Sequence, residues 1–314
     1  MNKADVLDKI LELRHIDTII SNFIDVDITN EGRIHTRFSL VETGRLSSHE
    51  DELGKGSHLQ NVPGASVSNG EQYHVNVRKM FIPDEGKILI EADKKQGEVM
   101  IVAWLANDVK MKEVFKTGGD IHRKNASYIF KKQEDAVSSS ERYLAKRMVH
   151  ASNYGMGVNT MATYCSISRS EAQECQKMYF NAFPSIATWQ WKVREEVKKT
   201  RVLTNPFGRR RIFFDRMSDE LFREAYAFVP QSTLVDDVNR SMIEMFLMYE
   251  PKLQLLHQGH DSLLWQIDKK WVEWIIPKIK AGFELPFLCR GEVLKIPVEI
   301  KTGVNWGEMN EHED

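Results

Sequence analysis

The stretch Lys87–Met100, KILIEADKKQGEVM, decides the fold. Its alternating pattern predicts a buried strand that ends at a single carboxylate, Asp93, followed by a helix that begins near Glu98. The two faces of that strand then carry Ile88, Ile90 and Ala92 on one side, and Leu89, Glu91 and Asp93 on the other. A carboxylate at a strand end is a common holder of a divalent metal ion, but a solvated aspartate also fits this stretch, so other parts of the chain must decide.

The composition predicts an ordinary soluble globular protein. The chain has 314 residues, of which 42% are apolar and 28% charged, enough for one large domain or two to three subdomains. A net charge of −2 does not by itself indicate a nucleic-acid binder. Basic clusters nevertheless occur in the middle third, at residues 131–132, 142–147, 198–201 and 209–211. Each of these fits a solvated face as well as a binding face.

Targeting and redox signals favour a cytoplasmic protein. The three cysteines form no CxxC pair and no metal-binding spacing, which is typical of free thiols in a reducing compartment. The first twenty residues carry charges throughout and contain no signal peptide. No run approaches the ~18 apolar residues of a membrane-spanning helix, so no membrane partner is expected.

Several segments have clear local patterns. We predict an amphipathic helix up to about residue 24, a strand over Val75–Pro83, and a final strand over Leu294–Ile300. Residues 205–208 predict a hairpin tip, and the helical pattern of residues 218–249 contains Pro230, where a kink or break is expected. Another hairpin turns at residues 258–259, with His260 and Asp261 at its mouth. Strands, a helical insertion and further strands predict an α+β fold with a projecting helical lobe.

One helix of the insertion carries a row of polar side chains. Ser138 and Glu141 form a capping box that predicts its start. The residues at successive four-residue steps along it share one gently spiralling face. They are Arg142, Lys146, His150 and Tyr154.

Taken in chain order, six motifs resemble those of the family A DNA polymerases, the bacterial DNA polymerase I family. They are TGRLSS (43–48), LQNVP (59–63), DKKQGEV (93–99), GGDIHR (118–123), RYLAKRMVHASNYG (142–155) and HDS (260–262). The resemblance covers nearly the whole chain. It implies a right-hand palm, an antiparallel sheet with flanking helices, carrying an inserted helical fingers subdomain, with the thumb largely missing. The subdomains implied are a thumb-like helix at 1–27, palm at 28–110 and 221–314, and fingers at 111–220.

The resemblance also implies a site for nucleotidyl transfer. Such transfer needs two carboxylates converging on two Mg²⁺ ions, which Mn²⁺ can replace, and Asp93 and Asp261 are the candidates. The backbone carbonyl of Lys94 completes the implied metal set, and Lys146 is the implied general acid. The nucleotide-binding residues implied are Gln96, Glu98, His122, Arg142, Lys146, His150 and Tyr154. The DNA-binding residues implied are Arg45, Gln60, Asn61, Gly155, Arg223, Gln231 and His260.

The chain departs from the family pattern at named positions. Ser262 stands where the family usually has Glu, and His150 replaces the Phe or Tyr that packs against the incoming sugar. Lys94 and Lys95 replace Tyr and Ser, which we expect to add positive charge beside Asp93.

We therefore expect a template-directed DNA polymerase that adds dNMP to a primer 3′-OH and releases pyrophosphate. Its expected partners are primer-template DNA and dNTPs, together with a second chain that supplies the thumb and an exonuclease. Two alternatives remain open. One is a non-catalytic DNA- or protein-binding subunit derived from a polymerase, which Ser262 favours. The other is a single-subunit RNA polymerase core, which Glu98 disfavours because a Glu at this position blocks a ribose 2′-OH in the resembling DNA polymerases.

Overall fold

The structure, a computed structural model, describes residues 3–63 and 76–312, with side chains from residue 6. Its helices are α1 (Lys3–Ile19), α2 (Gly97–Ala106), α3 (Val109–Lys116), α4 (Ile121–Phe130), α5 (Ser139–Asn153), α6 (Val158–Cys165), α7 (Arg169–Ala182), α8 (Pro184–Thr200), α9 (Asp219–Tyr249) and α10 (Val272–Phe283). Its strands are β1 (Arg37–Leu40), β2 (Leu46–His49), β3 (Lys87–Lys94), β4 (Val202–Thr204), β5 (Arg210–Ile212), β6 (Gln254–Gln258), β7 (Ser262–Asp268), β8 (Phe287–Cys289), β9 (Glu292–Leu294), β10 (Val298–Gly303) and β11 (Met309–Glu311). This mixture confirms the predicted α+β class. None of the helices in the described ranges is long and apolar enough to cross a membrane.

The chain divides into two compact units. The first contains residues 1–93, 238–283 and 298–314, and the second contains residues 94–237 and 284–297. The divisions after residues 93 and 237 differ from the subdomain boundaries predicted after residues 110 and 220. In particular, α2 and the β8–β9 hairpin group with the helical unit.

The first unit is built on a five-stranded sheet with the order β11-β10-β3-β7-β6. Its central strand β3 pairs antiparallel with β7, from Lys87 opposite Asp268 to Asp93 opposite Ser262. The predicted alternation is confirmed. Ile90 and Ala92 pack in one core with α10 and the end of α9, whereas Leu89 packs in a second core on the opposite face. A strand with both faces covered cannot slip its register without burying polar groups.

The main core of the second unit is centred on α2, where eight of the ten residues are buried, and α3, α4, α5, α7, α8 and the first part of α9 contribute to it. The helix α6 packs in a smaller core with α5 and α7. Two local predictions are confirmed here. Ser138 and Glu141 form the capping box that opens α5, and residues 205–208 form the tip of the β4–β5 hairpin. Of the kink or break predicted at Pro230, the break is wrong: α9 continues from Asp219 to Tyr249 with the proline inside it.

Two strand predictions need correction. Residues 77–80 form a single 3₁₀ turn rather than the strand predicted over Val75–Pro83, whose first residue lies outside the described ranges. Apolar alternation over so few residues does not separate a turn from a strand. The strand predicted over Leu294–Ile300 is two strands, β9 and β10, separated near Pro297, which has no N–H to donate to a ladder.

The central strand offers a test of the core. Ile90 is fully buried, so Ile90→Ala is expected to lower the free energy of unfolding by about 2–5 kcal/mol through lost apolar burial and the cavity left behind. Urea unfolding followed by circular dichroism measures the change. The matched control is Ile82→Ala, because Ile82 is 67% exposed and should lose under about 0.5 kcal/mol. Equal losses in the two variants would contradict this placement of β3.

Candidate active site

Two carboxylates meet at one end of the central sheet. Asp93 ends the paired part of β3 directly opposite Ser262, the first residue of β7, and Asp261 immediately precedes that serine. The turn that presents Asp261 is closed by a hydrogen bond from the N–H of Gly259 to the carbonyl of Ser262, at 2.8 Å. A Cβ at residue 259 would lie 2.5 Å from the Ser262 hydroxyl, so a larger residue there would force that hydroxyl to turn away. The structure thus brings together two residues that are far apart in the chain.

The pair is electrostatically strained in the absence of a cation. Burial raises the pKa of the Asp93 carboxyl far above its ordinary value, and the negative charge of Asp261 raises it further. Glu91 adds to the effect from the same face of β3. Burial and a like charge both disfavour ionisation, and both are offset by a bound divalent ion.

Three further charged groups surround Asp93. Glu91 accepts a hydrogen bond from the indole N–H of Trp306 at 3.0 Å, which fixes its carboxylate. Glu299 and Lys301 form an ion pair on the neighbouring strand β10. The ammonium of Lys301 lowers the pKa of Asp93, although burial and the neighbouring carboxylates outweigh it. Sequence reasoning missed Glu299 and Lys301, because the position of β10 next to β3 is set by tertiary folding.

The donor set fits a divalent cation of the Mg²⁺ type. Such an ion prefers carboxylate, carbonyl and water oxygens, and it commonly takes only one or two carboxylates from the protein. Within the described residues, no three His, Cys, Asp or Glu side chains are grouped so as to hold a metal ion. Two aspartates together with main-chain and water oxygens are donor types that such an ion accepts.

The side chain of Lys94 does not lie beside Asp93, contrary to our expectation. Successive residues of a strand point to opposite faces, and Lys94 shares the face of Ala92. Its ammonium pairs with Asp237 of α9 at 2.6 Å, and both side chains are fully buried. Lys95, in contrast, is exposed. Only one of the two lysines therefore presents its charge to solvent.

The helical unit holds most of the predicted nucleotide-binding residues along one helix. Arg142, Lys146 and His150 lie along α5, and Tyr154 caps its C-terminus. The Nε of Arg142 donates to the carboxylate of Asp120, the N-cap of α4, which also accepts from the main-chain N–H of His122. Lys146 is exposed. The shared face predicted for these side chains is thus built on a capped helix.

Glu98 of α2 meets two side chains at the C-terminal end of α5. The hydroxyl of Tyr154 donates to Oε2 of Glu98, and Nδ1 of His150 lies 3.8 Å from the same oxygen. The ring of His122 lies 5.9 Å from that of His150. His122 is almost fully buried, and burial together with the positive charge of His150 and Lys146 lowers its pKa to about 3. At neutral pH its imidazole is therefore uncharged.

Four other predicted residues also lie in this unit. Gln96 adopts a left-handed conformation with φ of 54° before α2, and its side chain accepts from the N–H of Ile121 at 3.1 Å. Gly155 has φ of 70°, and a Cβ there would lie 2.9 Å from the ring of Tyr226. Arg223 and Gln231 lie two helical turns apart on α9, the first exposed and the second half-buried.

The remaining predicted DNA contacts lie in the first unit. Arg45 ends the turn between β1 and β2, and His260 is exposed at the tip of the β6–β7 turn. Asn61 is exposed, but Gln60 is already engaged. Its amide accepts from the N–H of Ser48 at 2.9 Å and donates to the side chain of Gln258 at 3.0 Å. Gln60 thus ties β2 to β6.

Known proteins match this chain over nearly its whole length. The model of DNA polymerase family A matches residues 1–308. The thermostable DNA polymerase I of Thermus aquaticus is 30% identical over 312 residues, covering 95% of this chain and 36% of that protein. DNA polymerase I of Geobacillus stearothermophilus is 30% identical over 318 residues, covering 96% of this chain and 35% of that protein. The chain spans about a third of the length of these relatives.

A solved structure has a similar fold. It is the POL domain of Pol1 from M. smegmatis in complex with DNA primer-template and dNTP. The TM-score is 0.77 at 26% sequence identity, and the match covers 93% of this chain and 50% of that chain.

The raised pKa of Asp93 predicts how stability depends on pH. In the unfolded chain this carboxyl ionises near its ordinary pKa of about 4. In the folded chain it ionises only nearer pH 8, so without metal its ionisation opposes folding between these values. Asp93→Asn is therefore expected to unfold at higher urea concentration than wild type at neutral pH in the presence of a chelator. The advantage should shrink as pH falls towards about 4.

The control for this pH series is Asp84→Asn. Burial raises the pKa of Asp84, but a hydrogen bond from Gln266 and the charge of Arg33 outweigh it and lower that pKa overall. This variant should lose stability relative to wild type as pH rises through about 4, the opposite sign. Adding millimolar Mg²⁺ should stabilise wild type but not Asp93→Asn. The same pH dependence in both variants would contradict the raised pKa of Asp93.

Proposed function

Because the chain belongs to DNA polymerase family A, we propose that it catalyses template-directed addition of dNMP to a primer 3′-OH, with release of pyrophosphate. The observation that carries this proposal is the pair of aspartates at the end of β3 and the start of β7. The proposed substrates are dNTPs and primer-template DNA, as bound in the similar M. smegmatis structure. The proposed cofactor is a pair of Mg²⁺ ions, for which Mn²⁺ can substitute.

Asp93, Asp261 and the main-chain carbonyl of Lys94 are the proposed metal ligands. When bound, two such ions supply a lowered pKa for the attacking hydroxyl and charge stabilisation for the attacking and leaving oxygens. The contribution of the chain is to hold two carboxylates in a site where they repel each other unless a cation is present. The raised pKa of Asp93 supports this role.

The triphosphate is proposed to bind along α5. Arg142 and Lys146 lie one turn apart on that helix, a spacing that suits adjacent phosphates. Lys146 is exposed and carries the proton that we propose to reach the leaving pyrophosphate. His122 and Gln96 complete the proposed nucleotide contacts.

Sugar selection is proposed to depend on Glu98. Its carboxylate is held by the hydroxyl of Tyr154 and lies near His150, so its position is fixed before substrate arrives. A fixed carboxylate excludes a ribose 2′-hydroxyl by occupying its place. The proposed DNA contacts are Arg45, Gln60, Asn61, Gly155, Arg223, Gln231 and His260.

A second chain is proposed to supply the thumb and the exonuclease. Support comes from α1, whose Leu7, Leu11 and Leu13 are each more than 60% exposed, as expected of a helix that packs against another protein. We place this activity in the cytoplasm, or in the bacterial host cytoplasm if the protein is viral. The three cysteines are free thiols, which agrees with a reducing compartment.

The specific observation favouring a non-catalytic DNA- or protein-binding subunit is Ser262, which lies next to Asp261 where the family usually has Glu. Such a subunit would bind primer-template without extending the primer. The RNA polymerase alternative predicts extension with rNTPs in preference to dNTPs. The experiments below separate both alternatives from the proposed function.

Removing either aspartate is expected to abolish primer extension. Asp93→Ala and Asp261→Ala should each lower the single-turnover extension rate at least about 10³-fold, because several kcal/mol of charge stabilisation is lost. The measurement is extension of a labelled primer on a DNA template with Mg²⁺ and dNTPs. The matched control is Asp268→Ala, an exposed aspartate at the other end of β7 that should leave the rate unchanged. If wild type binds the DNA but extends nothing with Mg²⁺ or Mn²⁺, the binding-subunit alternative holds instead.

Removing the carboxylate of Glu98 is expected to relax sugar selection. Glu98→Ala should lower the ratio of dNTP to rNTP incorporation at least about tenfold, which corresponds to about 1.4 kcal/mol. Tyr154→Phe should cause a smaller loss, because it removes the hydroxyl that holds Glu98 and leaves the carboxylate in place. Competition assays with mixed nucleotides measure the ratio. Tyr143→Phe on the same helix is the control, since Tyr143 is 60% exposed. An unchanged ratio in Glu98→Ala would refute this role.

A further inference from the structure

A lysine and an aspartate form an ion pair that is fully out of solvent, and the lysine is the residue that follows Asp93 in the chain. Nζ of Lys94 is 2.6 Å from Oδ2 of Asp237, and both side chains are 0% exposed. Burying two charges carries a large desolvation penalty, and an apolar pair of similar volume is often as stable. Stability alone therefore gives little reason for the chain to place an ion pair here.

The ammonium of Lys94 does not lie beside the carboxylate of Asp93, so the ion pair does not act on Asp93 by placing a charge next to it. Lys94 and Asp93 are consecutive in β3, so their side chains point to opposite faces of the strand. What the two residues share is the peptide that joins them. A restraint on the side chain of Lys94 therefore acts on Asp93 through the main chain.

The main chain around Lys94 is held on both sides. Before it, Asp93 pairs with Ser262 in the β3–β7 ladder. After it, the N–H of Lys95 donates to the carbonyl of Pro297 at 2.8 Å. The ion pair adds a third restraint, at the residue whose carbonyl oxygen is a proposed metal ligand.

The anchor itself is rigid. The residue before Asp237 in α9, Asp236, accepts two hydrogen bonds from Arg209, at 3.0 and 2.7 Å. It also accepts one from the side-chain amide of Asn205 at 2.7 Å. This turn of α9 is thereby fixed to the β4–β5 hairpin. An ion pair to a fixed turn restrains a lysine more strongly than one to a mobile side chain.

We infer that Asp237 is a positioning residue for the metal centre. By holding the side chain of Lys94, it fixes the carbonyl oxygen of Lys94 and the adjacent carboxylate of Asp93 in the orientation that receives a divalent cation. The inference rests on the proposed function, because it assigns the metal to these two residues. Groups that orient metal ligands typically contribute 10–100-fold in metal affinity, which sets the size of effect to look for.

The test measures metal binding by the whole chain without nucleotide or DNA. Mn²⁺ is titrated into each variant and the free ion is followed by electron paramagnetic resonance, at a temperature where circular dichroism shows every variant folded. Asp237→Asn is expected to weaken Mn²⁺ binding about 10–100-fold. Hydrogen exchange at the amide of Lys95 should also become faster in this variant without metal.

The control is the neighbouring aspartate. Asp236→Asn loses contacts to Arg209 and Asn205 and so lowers stability, but it keeps the ion pair itself and should weaken Mn²⁺ binding much less than Asp237→Asn does. A purely structural role for Asp237 predicts that metal affinity is unchanged in both variants. Wild-type affinity in Asp237→Asn, or equal weakening in Asp236→Asn, would overturn the inference.

Two further variants keep the result interpretable. If Asp237→Asn does not fold, the double variant Lys94→Met, Asp237→Leu replaces the ion pair with apolar packing. It should fold and still bind Mn²⁺ more weakly than wild type, and wild-type affinity in it would overturn the inference.

Asp93→Asn separates this inference from the proposed function. If that variant binds Mn²⁺ as wild type does, the metal site itself is misplaced and both fail. If binding depends on Asp93 but not on Asp237, only the positioning role fails.

Discussion

The repulsion between the carboxylates of Asp93 and Asp261 is the constraint on which the rest of the site depends. The pairing of β3 with β7 holds these residues at one sheet end, and both strands are fixed by cores on their two faces. Moving the aspartates apart would require breaking that register and burying polar groups. The strand register therefore keeps the two residues near each other, and a proton or a cation would relieve the repulsion between their carboxylates.

The same principle applies to Glu98 in the helical unit. Its carboxylate is held by a side chain at the end of α5, while Glu98 itself lies in the first turn of α2. A carboxylate fixed by its own partners does not need to rearrange when a substrate arrives. Both units therefore present charges whose positions are set before binding, which is how a protein site acts more strongly than the same groups in water.

The sequence predicted the elements of the site better than their contacts. Asp93 and Asp261 could be found because each follows or precedes an apolar strand, and the residues of α5 could be found because helical spacing fixes which of them share a face. Asp237 could not be found, because it lies 143 residues from Lys94 in a helix with no pattern that marks it. Gln60 shows the same limit. Its motif predicts a DNA contact, which stays a prediction, but the motif does not show that the Gln60 amide also bonds to β2 and β6. Long-range partners depend on tertiary folding, which local periodicity does not contain.

The replacement of the usual Glu by Ser262 is consistent with these electrostatics. Ser262 lies directly opposite Asp93 in the β3–β7 ladder. Like charges placed opposite each other across strands are destabilising. Besides Asp261, the pKa of Asp93 is already raised by Glu91 and Glu299, and only Lys301 acts in the opposite direction among the charges with a resolved effect. A further carboxylate at residue 262 would increase the negative charge around a group that is already difficult to ionise. A serine there avoids that repulsion and leaves the pair of aspartates in place.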